Sequence, residues 1–397
     1  MKKNYSLFGL PEEVTFCKKC IISNQRPNSV VSFLDQTGNK KGIKIDNDKI
    51  CSACKVHETK KNIDWIEREN KLKNLCDKYR KKSGYDCIIP GSGGKDSAFI
   101  AHVLKYKYNM HPLTVTWAPH SYTDIGRDNF YNWINKGGFD NILFTPNGKL
   151  HRVLTRTSFI NILHPFQPFA VGQKMIGPKF AIKFDIPLVF YGENENEYGD
   201  QAENPTFVNK KYFSTKDDNI YIGGENIKDI LKKNQFQKNE IEPYLPAKEE
   251  LIEDKKIEFH YLGYYLKWDP QECFYYASEN TGFKPNTERT IGTYSKYSSI
   301  DDKMDYFYWY TYFIKFGLGR TSFDAAQEVR NQKITREEAV ILVRKYDSEF
   351  PEKYFKDFLN YISISEKEFW ETVDKFRSPH LWEKNLQEKW SLKNQVK

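Results

Sequence analysis

The sequence Tyr85-Asp-Cys-Ile-Ile-Pro-Gly-Ser-Gly-Gly-Lys-Asp-Ser97 joins three local signals in one short stretch. Cys87 to Ile89 form an apolar run that is typical of a buried strand, and a glycine-rich turn follows. From Ala98 to Leu104, apolar residues recur at helical spacing. A turn that leads into a helix N-terminus presents backbone N–H groups and a favourable dipole to an anion. The stretch therefore predicts a strand–turn–helix unit that binds phosphate.

Each residue type in this turn has a chemical use. Glycines permit positive φ and let the backbone approach an anion closely. Serine hydroxyls donate hydrogen bonds, and a lysine adds a positive charge. The predicted nucleotide-binding residues of the turn are Gly91, Ser92, Gly93, Gly94, Lys95, Asp96 and Ser97.

Two better-known phosphate loops are excluded. A Walker loop needs Ser or Thr after its lysine, whereas Asp96 follows Lys95, and Asp96 also breaks the dinucleotide pattern G-x-G-x-x-G. The sequence Ser92-Gly-Gly-Lys-Asp-Ser97 instead resembles the PP-loop of the N-type ATP pyrophosphatases, which split ATP between the α and β phosphates. This resemblance implies ATP as a cofactor.

The region 85–195 alternates predicted strands and helices, which indicates an α/β fold with a parallel sheet. Ligands of such sheets bind outside the carboxyl ends of the strands. We therefore expect Trp117, the turn 146–148 and the pair Gly192-Glu193 to join the loop around one nucleotide site.

Four of the seven cysteines form two Cys-x-x-Cys pairs. Cys17, Cys20, Cys51 and Cys54 can close a tetrahedral site, so we predict a structural zinc module. His57 lies near the second pair and is interpreted as a bystander.

The acidic segment after the fourth predicted strand suggests magnesium. Glu193 and Glu197 supply hard oxygen ligands near the expected phosphate site, although a solvated acidic loop has the same composition. The pair Asn194 and Glu197 resembles the Asn-x-x-Glu metal site of the NAD synthetases.

The predicted domain organisation has five parts. It comprises a zinc module at 1–60, a linker helix at 61–84, the ATP-binding core at 85–200, an insertion or lid at 201–258, and an aromatic-rich, helical substrate or partner region at 259–397. In the last part, Thr321 and Thr335 are predicted to begin helices as capping boxes.

Composition limits the possible environments and partners. A net charge of +8 over 397 residues is mild and shows no concentrated basic patch, so we expect an anionic small substrate and no nucleic acid. No apolar run is long enough for a bilayer, and the N-terminus lacks the apolar region of a secretion signal. We expect a cytoplasmic protein without membrane contact.

Several further blocks resemble the N-acetyl sugar amidotransferases of bacterial surface-polysaccharide biosynthesis, the family of the pseudaminic-acid and O-antigen amidotransferases. The blocks are the paired Cys-x-x-Cys, the PP-loop, Thr116-Trp-Ala-Pro-His120, Tyr122-Thr-Asp-Ile-Gly126, Phe144-Thr-Pro-Asn-Gly148, Tyr191-Gly-Glu-Asn194, Glu197-Tyr-Gly199, Ile314-Lys-Phe-Gly317 and Glu328-Val-Arg-Asn331. The resemblance implies conversion of an acetamido group, on a free sugar or a sugar nucleotide, into an acetamidino group with ATP and ammonia.

The resemblance also implies roles for individual residues. Lys95, Asp96, Ser97 and Glu197 are the expected catalytic residues, with magnesium on Glu197. Separately, Lys315, Arg320 and Arg330 are expected to bind the sugar because each is a cation near the aromatic region, although surface salt bridges explain such cations equally well.

Two questions about partners and function follow from the sequence. Because residue 2 is Lys rather than a nucleophilic cysteine, we expect a separate glutaminase to supply ammonia. The alternative function is a tRNA-modifying PP-loop enzyme of the thiolase or lysidine type, which would use the zinc module and the positive charge to hold RNA.

Overall fold

The computed structural model describes residues 5–192 and 210–397. Its helices are α1 Ser52–Thr59, α2 Trp65–Tyr79, α3 Lys95–His102, α4 Asp124–Asn135, α5 Gly148–Ile162, α6 Gln167–Phe184, α7 Ile227–Asn234, α8 Lys238–Ile241, α9 Glu249–Asp254, α10 Leu262–Tyr265, α11 Pro270–Thr281, α12 Asp305–Phe316, α13 Arg320–Arg330, α14 Arg336–Tyr346, α15 Phe355–Ile362 and α16 Glu366–Lys375. Its strands are β1 Cys87–Pro90, β2 Pro112–Trp117, β3 Asp140–Phe144, β4 Leu188–Tyr191, β5 Ser214–Thr215, β6 Tyr221–Ile222, β7 Glu225–Asn226, β8 Ala247–Lys248, β9 Glu258–Tyr261, β10 Trp382–Lys384 and β11 Trp390–Leu392.

The core is a five-stranded sheet in the order β3-β2-β1-β4-β9, with every neighbouring pair parallel. Ile88 of β1 is in register with Leu113 on one side and with Val189 on the other. The strand order reverses between β1 and β4, and this switch point is where ligands of open α/β sheets bind. The predicted fold class is confirmed.

Both faces of the sheet are covered, which explains why its central strands are continuously apolar. Ile88 and Val189 pack against α5 and α6, whereas Ile89 and Phe190 pack against α2, α3, α4 and α11 on the other face. The alternation follows from the two-residue period of a strand. As a result, the loop after β1 is held between two helical layers.

The C-terminal helices form a separate aromatic core. Phe307 of α12 stacks on Phe358 of α15 at 4.2 Å between ring centroids, and Phe369 of α16 closes the cluster. Phe159 of α5 also joins it, so this region is packed onto the sheet domain. Within the described ranges, no helix is both long enough and apolar enough to cross a membrane.

The structure differs from the sequence-based expectations in four places. β9 and α5 are present although neither was predicted, and the helix expected from Asp128 to Asn135 begins earlier, as α4 at Asp124, because Thr123 caps it. Thr321 does not begin α13: it lies inside the helix, and its hydroxyl donates to the Gly292 carbonyl. The capping box at Thr335 is confirmed.

Candidate functional site

The loop between β1 and α3 is shaped by its glycines and by Ser97. A Cβ at Gly91 would lie 2.3 Å from Ser97 Cβ, and Gly93 has φ of 84° with Phe130 Cα only 2.9 Å from its missing Cβ. The Ser97 hydroxyl accepts from the Gly93 N–H at 3.2 Å and donates to the Gly94 carbonyl at 3.0 Å. Ser97 therefore stabilises the loop that it follows.

The two charged residues of the loop interact with each other. Lys95 is 8% exposed, and its Nζ donates to Asp96 Oδ2 at 2.6 Å. The same ammonium lies 6.0 Å from the ring of Tyr297. The pair lies at the first turn of α3, where the helix dipole favours a negative charge.

The loop opens into a cavity of about 400 Å³, which we call the loop cavity. Besides the loop itself, its walls come from the chain after β2, from α6, from Gly192 after β4 and from the segment before α12. The lining residues include Pro119, Phe166, Phe169, Gln173, Gly192, Tyr297, Ser298, Ser299, Asp301, Asp302, Asp305 and Arg320. The cavity thus lies at the switch point of the sheet.

Three aspartates, two just before α12 and one at its first position, lie in the wall of this cavity. Asp301 Oδ2 accepts from the Ser92 hydroxyl at 2.7 Å. This hydrogen bond joins residues 301–305, which we call the aspartate segment, to the loop between β1 and α3. Burial raises the pKa of Asp301, and the nearby Asp302 adds to the rise. Burial also raises the pKa of Asp305 to about 6.

Asp302 holds the aspartate segment in place. Its carboxylate pairs with His120 Nδ1 at 2.7 Å and accepts from the backbone N–H of His120 and of Met304. Gly126 permits the close approach, since a Cβ there would lie 2.5 Å from Asp301 Cα. The segment after β2 is therefore the support on which Asp301 rests.

A second cavity, of about 340 Å³, adjoins the first and is called the side cavity. The two cavities share the lining residues Lys95, Asp96, Tyr297, Ser298 and Arg320. Arg320 pairs with Asp324 at 3.0 Å and lies 4.7 Å from the ring centroid of Trp309. Phe323, Gln327 and Glu328 complete a wall that mixes aromatic faces with hydrogen-bonding groups.

Only part of the predicted site meets here. Of the expected sugar-binding cations, Arg320 lies at the junction of the two cavities. Lys315 lies in a different pocket, because it occupies another face of α12. Arg330 lies near Cys20 and His57 and lines neither cavity.

Trp117 and the turn 146–148 are not among the residues that line the loop cavity. Trp117 points to the α6 face of the sheet, where Gly172 makes room for its ring, and it lines a separate apolar cleft. Asn147 caps α5 through the N–H groups of Lys149 and Leu150. The predicted magnesium ligands Glu193 and Glu197 lie outside the described residues.

The aspartates 301, 302 and 305 and Arg26 were missed by the sequence reasoning. An Asp-Asp pair immediately before a helix was the available signal, but nothing local in the sequence places it against a loop some 200 residues away. Only the strand order and the packing of α12 bring the two together.

The four cysteines of the N-terminal module meet as predicted. Their sulfurs all lie within 4.8 Å of one another, with Cys17 Sγ 3.9 Å from Cys54 Sγ and Cys20 Sγ 3.7 Å from Cys51 Sγ. Tetrahedral zinc with Zn–S bonds of about 2.3 Å needs sulfurs about 3.8 Å apart. The cluster fits zinc, and His57 is not part of it.

The metal cluster is packed against the side-cavity wall. Cys17, Cys20, Cys51 and Cys54 share a buried core with Ala325 and Ala326 of α13 and Ala339 of α14. Arg336 of α14 donates to the Cys20 carbonyl at 3.1 Å. The module also supplies Arg26, which lines the side cavity directly.

Comparisons with known proteins give a family-model match and a similar solved structure. No curated protein matches the chain in sequence. The solved structure of NMN synthetase from Francisella tularensis is similar over 57% of this chain and 89% of that chain, with 15% identity and a TM-score of 0.28. Residues 291–397 match the family model of the LPS biosynthesis protein WbpG-like, C-terminal domain. This match covers the region that contains the aspartate segment and α13.

Proposed function

We propose that this protein is an ATP-dependent amidotransferase that converts a sugar acetamido group into an acetamidino group for a bacterial surface glycan. The observation that carries the proposal is the direct junction of two cavities at Lys95, Asp96 and Arg320. One cavity has the loop suited to phosphates, and the other has aromatic and polar walls suited to a sugar. Two substrates would therefore meet beside the first turn of α3.

ATP is placed with its β and γ phosphates at the loop. The backbone N–H groups of the α3 N-terminus, the Ser92 hydroxyl and Lys95 are the available donors. Binding of the phosphates replaces the contact between Lys95 and Asp96, so that the lysine neutralises the departing pyrophosphate.

The charges that line the loop cavity favour magnesium together with ATP. Lys95 and Arg320 are outnumbered by Asp96, Asp301, Asp302 and Asp305, so the lining is net negative before any phosphate enters. Carboxylate oxygens are the ligands that Mg²⁺ prefers. Asp301 is the residue of the described part that would hold the ion, and it would supply positive charge to the phosphates.

The reaction balances as two displacements. The acetamido oxygen attacks the α-phosphorus of ATP, and pyrophosphate leaves. Ammonia then adds to the imidate carbon, AMP leaves with the former amide oxygen, and one proton is lost from nitrogen to give the amidine. Asp305, whose pKa burial raises to about 6, is suited to accept that proton near neutral pH.

A separate glutaminase supplies ammonia, and ammonium chloride is expected to replace it in vitro. Zinc in the cysteine cluster has a structural role, because four thiolates leave no open coordination position.

An isotope experiment tests the reaction. A panel of acetamido sugars, free and nucleotide-linked, is prepared with ¹⁸O in the acetamido group and incubated with ATP, Mg²⁺ and ammonium chloride. We expect one sugar to yield AMP that carries the ¹⁸O and a product one mass unit lighter than the unlabelled substrate. Formation of ADP, or of unlabelled AMP with the label kept in the sugar, would contradict the proposal.

A further inference from the structure

A third pocket, of about 260 Å³, adjoins the side cavity and is unusually basic. Its charged lining residues are Arg26, Lys40, Lys174 and Lys315, and none of its described lining residues is Asp or Glu. It shares Arg26 and Phe323 with the side cavity. We call it the basic pocket.

Lys315 is the most deeply buried of the three lysines in the pocket. It is 6% exposed, and its Nζ donates to the Ile162 carbonyl at 2.6 Å. The rings of Phe8 and Phe316 lie 5.5 and 5.1 Å from the ammonium. Among the residues that the structure describes, no carboxylate forms an ion pair with Lys315.

An ammonium in such surroundings is costly unless a negative charge accompanies it. Burial, together with Lys40, lowers the pKa of Lys315 well below its usual value. One carbonyl at the end of α5 offers a partial charge only. A bound anion would supply the missing charge.

The pocket also has neutral hydrogen-bonding groups and room for a ligand. His164 lines it, with Nδ1 buried and without a hydrogen-bond partner, and its ring stacks on Tyr308 at 4.9 Å. A volume of about 260 Å³ exceeds that of several water molecules of ~30 Å³ each. An oxyanion and part of the molecule that carries it would fit.

We propose that the basic pocket is an oxyanion-binding subsite, with Lys315 as its principal cation, for a phosphate or carboxylate group. Because the pocket continues into the side cavity through Arg26 and Phe323, the anion is carried by the acceptor sugar. This last assignment rests on the proposed function, whereas the anion site itself rests on the pocket alone.

Isothermal titration tests the site with two probes, inorganic pyrophosphate and glucuronate, on the full chain at fixed salt. We expect Lys315→Met to weaken binding of at least one probe ten-fold or more. Lys367→Met is the control, because it removes one positive charge from an exposed position. It is expected to leave the binding of both probes unchanged. Loss of pyrophosphate binding alone identifies a phosphate site, and loss of glucuronate binding alone identifies a carboxylate site.

A stability measurement distinguishes this role from a structural one. Without added anion, Lys315→Met is expected to have an unchanged or higher Tm, because a costly buried amine is removed. A lower Tm with unaltered binding of both probes would mean that Lys315 only caps α5, and would overturn the inference. If Lys315→Met fails to fold, Lys40→Met is measured in its place. Unaltered binding of both probes by Lys40→Met would overturn the inference.

The same titrations separate this inference from the proposed function. Lys95→Met is expected to weaken pyrophosphate binding at the loop between β1 and α3. The basic pocket, which Lys315→Met disrupts, should bind as in the parent protein. If Lys95→Met has no effect on pyrophosphate, the nucleotide assignment fails but the basic pocket stands.

Discussion

Ser92 and Asp301 are 209 residues apart in the chain, yet the Ser92 hydroxyl donates to the Asp301 carboxylate at 2.7 Å. The neighbouring Asp302 turns away from the loop to His120, and its side chain is only 3% exposed. Adjacent residues of the same type therefore have different tasks, one toward the cavity and one toward the supporting segment. At this scale the site is a loop of glycines and hydroxyls, completed by a carboxylate from a distant segment.

Asp301→Asn is expected to reduce AMP formation about 100-fold, because it removes charge from the phosphate site without changing side-chain shape. The free energy of unfolding should stay within about 0.5 kcal/mol of the parent value. Steady-state AMP release and urea unfolding measure the two effects. Asp302→Asn is the matched control: it should lower the free energy of unfolding by roughly 1 to 3 kcal/mol through loss of its charged hydrogen bonds. Equal activity of Asp301→Asn and the parent would exclude a role in phosphate binding.

Gly93→Ala is expected to destabilise the loop by about 2 kcal/mol and to abolish ATP binding. Its φ of 84° is costly for any residue with a Cβ, and that Cβ would lie 2.9 Å from Phe130 Cα. Gly148→Ala is the control, because a Cβ at the start of α5 meets nothing within 4 Å. Thermal unfolding and ATP titration of both variants check the expectation. Similar behaviour of the two would show that the loop tolerates a side chain.

Among the helices, α13 depends on a partner far along the chain. The N–H groups of Gly319 and Ser322 both donate to Asp347 at 2.9 Å, so Asp347 at the end of α14 caps the start of α13. A local capping residue is absent from the helix start itself. The cap fixes the first turn of α13, and with it Arg320 at the junction of the cavities.

Asp347→Ala is therefore expected to lower the free energy of unfolding by about 2 kcal/mol, since it leaves two backbone donors and the Ser322 hydroxyl without their acceptor. Substrate KM should rise while binding of pyrophosphate at the loop remains. Urea unfolding and steady-state kinetics measure these effects. Asp347→Asn keeps one acceptor, so its free energy of unfolding and its KM should lie between those of the parent and of Asp347→Ala. A normal KM in Asp347→Ala would show that Arg320 is positioned in another way.

The same residue gives a pH dependence of known sign. Burial raises the pKa of Asp347 to about 6, so the folded state holds its proton at a pH where the unfolded state has lost it. The contribution of Asp347 to stability therefore falls as the pH rises from about 4 to 6. Relative to Asp347→Asn, whose amide does not titrate, the parent should be more stable at pH 5 than at pH 7. A difference that is constant across this range would contradict the assigned pKa.

The elements that the sequence predicts well are those whose signals are local. β1 and the α3 start follow from an apolar run and three glycines, and the cap at Thr335 follows from Glu338 three residues on. β9 is only four residues long and pairs with β4 across the whole 192–257 interval, so no local pattern marks it. The cap of α13 could not be predicted either, because Asp347 lies 28 residues from Gly319. For the site, the loop was predictable, whereas the residues opposite it depend on this long-range packing.

In the molecule as a whole, the two ends of the chain meet beside the candidate site. The cysteine module packs on α13 and α14, and Val396 of the C-terminal tail joins the same core. Arg344 donates to the Val396 carbonyl at 3.0 Å. The module lies outside the sheet domain, but it supports the helix that carries Arg320 and contributes Arg26 to two pockets.

Removal of zinc should therefore affect ligand binding at a distance from the metal. Cys20→Ala is expected to lose the zinc, which elemental analysis should find at one ion per chain in the parent protein. Because the module then loses its main constraint, the Tm should fall, and the basic pocket should bind its anion probe, pyrophosphate or glucuronate, more weakly as Arg26 loses its position. Cys76→Ala is the control, since it removes an equally buried thiol from a different core and leaves the cluster intact. If Cys20→Ala lost zinc but kept the parent affinity, the module would not position Arg26, and the packing of its cysteines against Ala325 and Ala326 would serve the stability of the C-terminal helices alone.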